Sequence, residues 1–302
     1  MNVLVKVACC MVLLFAFVPS APPQVGSSIT VDVTEILVHA TVSEHHGAPV
    51  AGLEKESFSI MEDGVPQVIK HFGHRDIPVT AGLVIDNSGS MKSKRAEVVA
   101  AMLSFAGSSN PQDQMFLINF NEHVRLGLPS QTAFTDSPEQ LRAFMDTVKA
   151  DGETALFDAI ATALDHLKKG SRDKRVLVVV SDGADNASHR TKAQVLELAK
   201  HSDAIIYTIA IYDPDDSENM DPRFMRDLAK TSGGRAYFPV KLGDVRPACE
   251  SIANEIRNQY SLSYIPTNRK RDGTYRTIKI RAISPRGENL SVMTRAGYMA
   301  AK

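Results

Sequence analysis

Tryptophan is absent from this 302-residue chain, and aromatic residues make up only 6% of it. So thin a supply argues against a surface that holds sugars or bases by stacking. An excess of one charge sign is missing as well. The 34 basic and 35 acidic side chains leave a formal net charge of -1, without the basic surplus on which a nucleic-acid binder is built. Cysteine is scarce at three residues. Cys9 and Cys10 lie in an N-terminal apolar run, so a chain that loses this run keeps only Cys249 and forms no internal disulfide. Cys249 sits in a helical pattern with Val245, Ile252 and Ile256 and reads as a small buried hydrophobe. Membrane-length apolar stretches are also lacking. The run Val7–Val18 is too short to cross a bilayer comfortably.

That run has another reading. Lys6 supplies a positive charge before it, and Pro19-Ser20-Ala21-Pro22-Pro23 breaks the helix after it with small residues. This is the layout of a secretory signal, expected to cover residues 1–21. The protein is therefore expected to be secreted or periplasmic, with no stable membrane span in the mature chain. A lipoprotein signal is disfavoured, because the apolar run mostly follows both cysteines rather than preceding them.

Enough apolar residue is present to bury a sizeable core: 43% of the chain is hydrophobic and 23% charged, an ordinary globular balance. Three regions separate by pattern. Residues 27–75 read as short strands, with alternation at Ile29, Val31 and Val33 and again at Ile36, Val38, Ala40 and Val42. Turns are expected at His45-His46-Gly47 and Glu62-Asp63-Gly64. Residues 76–259 change habit. Val79–Ile85, Met115–Phe120, Arg175–Val180 and Ala204–Ala210 are near-continuous apolar runs, as in strands buried on both faces of a parallel sheet. Helical spacing falls between them at Arg95–Phe105, Ala155–Leu167 and Ala193–Ala199. Alternation of this kind predicts an α/β fold with a Rossmann-like, doubly wound, mostly parallel sheet. Residues 260–302 return to strand alternation, clearest at Thr277–Ile283. Isolated hairpins are marginal in water, so the N- and C-terminal strands are expected to combine into one accessory β-sandwich.

The strongest chemical signal is Asp86-Asn87-Ser88-Gly89-Ser90, directly after the first buried strand and before the first helix. Ligands of open α/β sheets bind at the carboxyl ends of strands. A carboxylate and two hydroxyls from one tight loop are hard oxygen donors, suited to Mg²⁺, Mn²⁺ or Ca²⁺ rather than to Zn²⁺. The alternative is that Ser88 and Ser90 cap the following helix, since caps use the same residue types. Ser181-Asp182-Gly183 follows another buried strand, and Asp151-Gly152-Glu153-Thr154 opens the helix before it. Three loops bearing acids or hydroxyls would then meet at one sheet edge.

Asp86-x-Ser88-x-Ser90, Thr154 within Gly-x-Thr-Ala-Leu-x-Asp, and Asp182 within Ser-Asp-Gly together resemble the von Willebrand factor type A domain, over roughly Pro78 to Gln259. All five positions of that family's metal-ion-dependent adhesion site are present in order. The resemblance implies that Ser88 and Ser90 bind Mg²⁺ directly, that Thr154 and Asp182 exchange places with conformational state, and that Asp86 holds the shell together. Glu153 departs from the family, standing where a small residue commonly precedes the threonine. Pro49–Leu53, Gly233–Phe238 and Gly297-Tyr298 extend the likeness to bacterial proteins related to that domain. The implied function is metal-ion-dependent protein binding, for adhesion or scaffolding. A divalent cation, Mg²⁺ with Mn²⁺ or Ca²⁺ as alternatives, captures an Asp or Glu carboxylate of a partner protein. Two other readings are a metal-dependent hydrolase and a structural module with a vestigial site.

No catalytic role is expected. The chain lacks a Gly-x-Ser-x-Gly elbow, a Cys/His pairing and His-Glu-x-x-His, and no glycine-rich phosphate cradle accompanies Lys92 and Lys94. The acidic stretch Asp213–Glu218 with Asp221 reads as a solvated loop, lacking the ligand spacing of an EF-hand. Asp185 and Asn186 are either rim or turn residues, and the nine histidines are ordinary surface or packing residues.

Overall fold

The computed structural model describes residues 35–44, 47–211 and 220–302. The expected signal segment, the alternation at Ile29–Val33, the turn residues His45 and His46, and the acids Asp213–Glu218 lie outside the described residues. All described residues fall in one compact unit spanning 34–302.

Apolar runs become the central sheet. Strand β5 (Val79–Asp86) is buried at every position, as a strand covered on both faces must be. It pairs in parallel with β6 (Gln114–Phe120) on one side and β8 (Lys174–Ser181) on the other. Beyond β8 come β9 (Ile205–Ala210) and the short β10 (Ala236–Tyr237), both parallel. Beyond β6 lies β7 (Val124–Leu126), the antiparallel edge. The order is β10-β9-β8-β5-β6-β7. The chain leaves β5 towards β6 and leaves β8 towards β9, so the crevice where connections diverge opens between the ends of β5 and β8, where such sheets bind ligands.

Helices cover both faces. Sequence periodicity identifies α1 (Arg95–Gly107), α3 (Leu156–Leu167), α4 (Lys192–His201) and α6 (Val245–Arg257). Two more, α2 (Pro138–Met145) and α5 (Pro222–Ser232), start with a proline behind a capping Ser137 or Asp221. Asp221 is therefore a helix cap, accepting from the Phe224 N–H at 2.8 Å, and not part of a solvated acidic loop.

The terminal strands form two antiparallel sheets of four strands each. One has the order β13-β1-β11-β4, from Ser291–Met293, Ile36–Ser43, Tyr260–Tyr264 and Ile69–Gly73. The other is β14-β12-β2-β3, from Gly297–Met299, Tyr275–Ala282, Phe58–Glu62 and Val65–Gln67. Strand β12 alternates buried and exposed residues along its length, the pattern of a strand with one wet face. Val38, Ile60, Leu262 and Ile280 from both sheets share one core. Both sheets mix N- and C-terminal strands: β1 pairs with β11 and β13, and β2 with β12.

Candidate functional site

Asp86 ends β5 and Ser181 ends β8, so the parallel register brings them to the same edge of the sheet. The Ser181 hydroxyl donates to Asp86 Oδ2 at 2.6 Å. On the other carboxylate oxygen, the Ser88 N–H donates to Asp86 Oδ1 at 2.8 Å and folds the loop back over the strand end. Ser88 Oγ and Ser90 Oγ share a hydrogen bond of 3.1 Å, and Ser90 Oγ donates to Asp182 Oδ2 at 2.5 Å. Four of the five sequence-predicted residues, Asp86, Ser88, Ser90 and Asp182, are thus linked in one hydrogen-bonded cluster.

Thr154 reaches the same edge by a different route. Its loop is stitched to the first by backbone: Gly89 N–H donates to Gly152 O at 3.0 Å, and Asp151 N–H to Asn87 O at 2.9 Å. The Ala155 N–H donates to Asn121 O, and the Asn121 side chain donates to Asp151 O. Thr154 itself is buried, with its N–H donating to Asn186 Oδ1 at 2.8 Å. Among the described residues its hydroxyl makes no direct hydrogen bond to the other four.

The serines do not serve as helix caps. Helix α1 begins at Arg95 behind Lys94, and neither Lys94 nor Ser88 makes a side-chain capping bond. Both hydroxyls are used within the cluster. The phosphate-pocket reading of the two lysines also fails locally, because Lys92 is exposed while Lys94 is buried.

The loops rest on further polar residues: Asn87, whose part the sequence did not show, and the rim-or-turn residues Asp185 and Asn186. Asn87, fully buried, donates through Nδ2 to Ile85 O and to Asn119 Oδ1, and its Oδ1 accepts from Arg95 Nε at 3.0 Å. Asp185 accepts from the Phe157 N–H at the start of α3, as Asn186 does from Thr154. Both tie the Ser-Asp-Gly loop to the threonine loop. Their spacing after Asp182 was visible in the sequence, but nothing there distinguished a clamp from a turn.

Burial dominates the electrostatics. Asp86, Ser88, Thr154 and Asp182 are all less than 5% exposed. Removal from water pushes the Asp86 carboxyl up to about 7; the Asp182 carboxylate beside it pushes the same way, against hydrogen bonds from Ser181 and Ser88. Neighbouring acids have basic partners, Asp158 with Arg190 and Asp221 with Lys192, but among the described residues no ion pair engages Asp86 or Asp182. Two buried carboxylates without a counter-charge, ringed by hydroxyls, fit a hard divalent cation. Among the described residues no group of three or more His, Cys, Asp or Glu is placed to hold a metal. The donor set here is instead mixed carboxylate and hydroxyl, which is unlike a zinc or copper site.

Residues 82–248, more than half of the chain, match the family model of the von Willebrand factor type A domain. No curated protein matches the chain. Among solved structures, a von Willebrand factor type A protein from Catenulispora acidiphila aligns at 11% identity over 89% of this chain and 74% of its own, with a TM-score of 0.53. Proximal thread matrix protein 1 from the mussel byssus aligns at 12% identity over 65% of this chain and 51% of its own, with a TM-score of 0.50. The conserved hypothetical protein BatB from Bacteroides thetaiotaomicron aligns at 15% identity over 60% of this chain and 97% of its own, with a TM-score of 0.47.

Proposed function

The chain belongs to the von Willebrand factor type A domain family, whose members commonly serve protein interaction, and from that premise we propose that it is an exported, metal-dependent protein-binding module rather than an enzyme. The observation that carries this reading is the largely buried cluster in which Ser88, Ser90 and Asp182 are hydrogen-bonded in series beside Asp86, which has no ion-pair partner among the described residues. Ser88 and Ser90 would hold the ion directly, together with Thr154 or Asp182, while Asp86 orients the loop through its bond from the Ser88 N–H. A bound Mg²⁺, or Mn²⁺ or Ca²⁺ in its place, supplies positive charge that mostly neutral hydroxyls offset only in part, leaving affinity for an Asp or Glu carboxylate from a partner protein.

The residues of the chain supply everything except that charge. Ser181 and the Ser88 N–H fix both oxygens of Asp86. Asn87 holds the second loop to the first, Asn121 holds it to the segment after β6, and Asn186 and Asp185 hold the second to the third. Export rests on Lys6, the apolar run Val7–Val18 and the small residues after it. Among the described residues no helix is long and apolar enough to cross a membrane.

The test is a pulldown from the native compartment with the mature protein as bait, in Mg²⁺ and in EDTA, alongside Asp182→Asn as a second bait. A partner retained in Mg²⁺ and absent from both other arms is expected. The same partners in all three arms would remove the metal-dependent mechanism.

A further inference from the structure

A second cleft, of about 330 Å³, lies where the sandwich meets the α/β domain. Its volume is at the lower end of the range for small-ligand sites. One wall is β1, with Thr41 and Ser43; the others are Arg235 and Tyr237 at β10, and Ser251, Asn254 and Glu255 on α6. It involves none of Asp86, Ser88, Ser90, Thr154 or Asp182.

Glu255 is the fixed point. Its Oε1 accepts from Thr41 Oγ1 at 3.3 Å and from the Tyr207 hydroxyl at 3.1 Å, and its Oε2 accepts from Arg235 Nε at 3.1 Å. The Glu255 side chain is 9% exposed and the Arg235 side chain 34% exposed. The carboxylate is therefore engaged on both oxygens, and it holds the guanidinium by one edge. Among the described residues no partner takes Nη1 or Nη2 of Arg235. A guanidinium fixed through Nε presents its remaining N–H groups in a fork that matches a carboxylate. The Ser43 and Ser251 hydroxyls and the Asn254 amide add neutral donors around it. Burial and the nearby Glu255 carboxylate raise Tyr237, which keeps its phenol proton.

We infer that this cleft is a second binding site, for a carboxylate anchored by Arg235. The geometry asks for an acceptor group because Glu255 is engaged on both oxygens, while Arg235, held through Nε, keeps Nη1 and Nη2 open towards the cleft. The carboxylate can belong to a free small molecule or to an acidic side chain of a protein. Both present the same group to Arg235, and the experiment separates them.

Metal-free protein is titrated calorimetrically with succinate, and separately with a blocked peptide carrying one aspartate, so capture at the proposed cation site contributes nothing. Saturable binding of either probe is expected, and the probe that binds identifies the source. Arg235→Gln should weaken it about tenfold or more, the scale of a lost charge-assisted contact. Since Arg235→Gln also leaves Glu255 without its ion pair, Ser251→Glu is the companion variant. Ser251 is exposed on α6, so the substitution places a repelling charge at the cleft without disturbing the core. Loss of binding in Ser251→Glu with an unchanged melting temperature supports the site. Absence of saturation by both probes, or undiminished binding in both variants, overturns it.

Discussion

The hydroxyl of Ser181 bonds to the carboxylate of Asp86 across the ends of two adjacent parallel strands, and it also accepts from the Gly183 N–H at 3.0 Å. One fully buried side chain therefore positions Asp86 and shapes the turn that carries Asp182. Ser181→Ala leaves both groups without that partner. A stability loss of about 1–3 kcal/mol is expected, together with a 10–100-fold weaker affinity for Mn²⁺. Urea denaturation and calorimetry check the two effects. A variant that keeps wild-type metal affinity would show that Asp86 needs no such support.

Asp86→Asn separates the cost of the site from its use. In the metal-free protein two buried carboxylates repel each other, so neutralising one should leave stability unchanged or slightly raised at pH 8. With ion at about a hundred times its Kd, the wild type gains about 2.7 kcal/mol, and the variant should lose most of that gain. Melting curves with and without Mg²⁺ read both, and far-UV circular dichroism should be unchanged. Global unfolding on substitution would make Asp86 a structural residue.

Gly152 holds the threonine loop in a left-handed conformation, φ +80°, where an added Cβ would land on the Glu122 carboxylate. Gly152→Ala should cost about 1–2 kcal/mol from backbone conformation alone, with the side-chain clash in addition. Adding Glu122→Ala relieves the clash but also removes the acceptor of the Glu153 N–H, so the double variant should recover only part of the loss. Full recovery would mean that the backbone relaxes freely at this position.

Acid sensitivity is expected from a residue outside the proposed cation site. His39 donates or accepts through Nδ1 with Ser261 at 3.0 Å, and its Nε2 is buried without a partner among the described residues. Burial, helped by Lys174 and Arg295, lowers it from 6.5 to about 3. Between those values the unfolded chain binds the proton and the folded one does not, so stability falls as pH drops from 6.5 towards 3. His39→Asn removes this contribution, and its stability should decline less steeply over that window in parallel denaturation series. Identical slopes would show that His39 takes up its proton without penalty.

Much of the architecture was legible because it follows from period. The buried runs around Val79–Ile85 and Val176–Val180 could be little else than central strands, and β12 alternates as its sequence does. That Asp86, Ser88, Ser90 and Asp182 share one sheet edge was legible because both of their loops directly follow apolar strand runs. Helices α2 and α5 were not: α2 buries only Leu141 and Met145, and both helices start at Ser137-Pro138 or Asp221-Pro222, which also read as turns, although Phe224, Met225, Leu228 and Ala229 of α5 stand at helical spacing. The roles of Asn87, Asn186 and Asp185 were hidden for a related reason. Each acts by a long-range hydrogen bond, to Asn119, Thr154 and Phe157 respectively, and an amide or acid in a loop has no spacing that reveals its distant partner.

The interleaving of terminal strands has a consequence for synthesis. Residues of β1 cannot find their neighbours in β11 and β13 until the ribosome has passed residue 293. Strands waiting that long present unpaired edges, a known route to misassociation. The α/β domain can complete its sheet earlier, since every strand of it comes from residues 79–237. The emerging chain would then carry a finished domain with an unmatched leading ribbon.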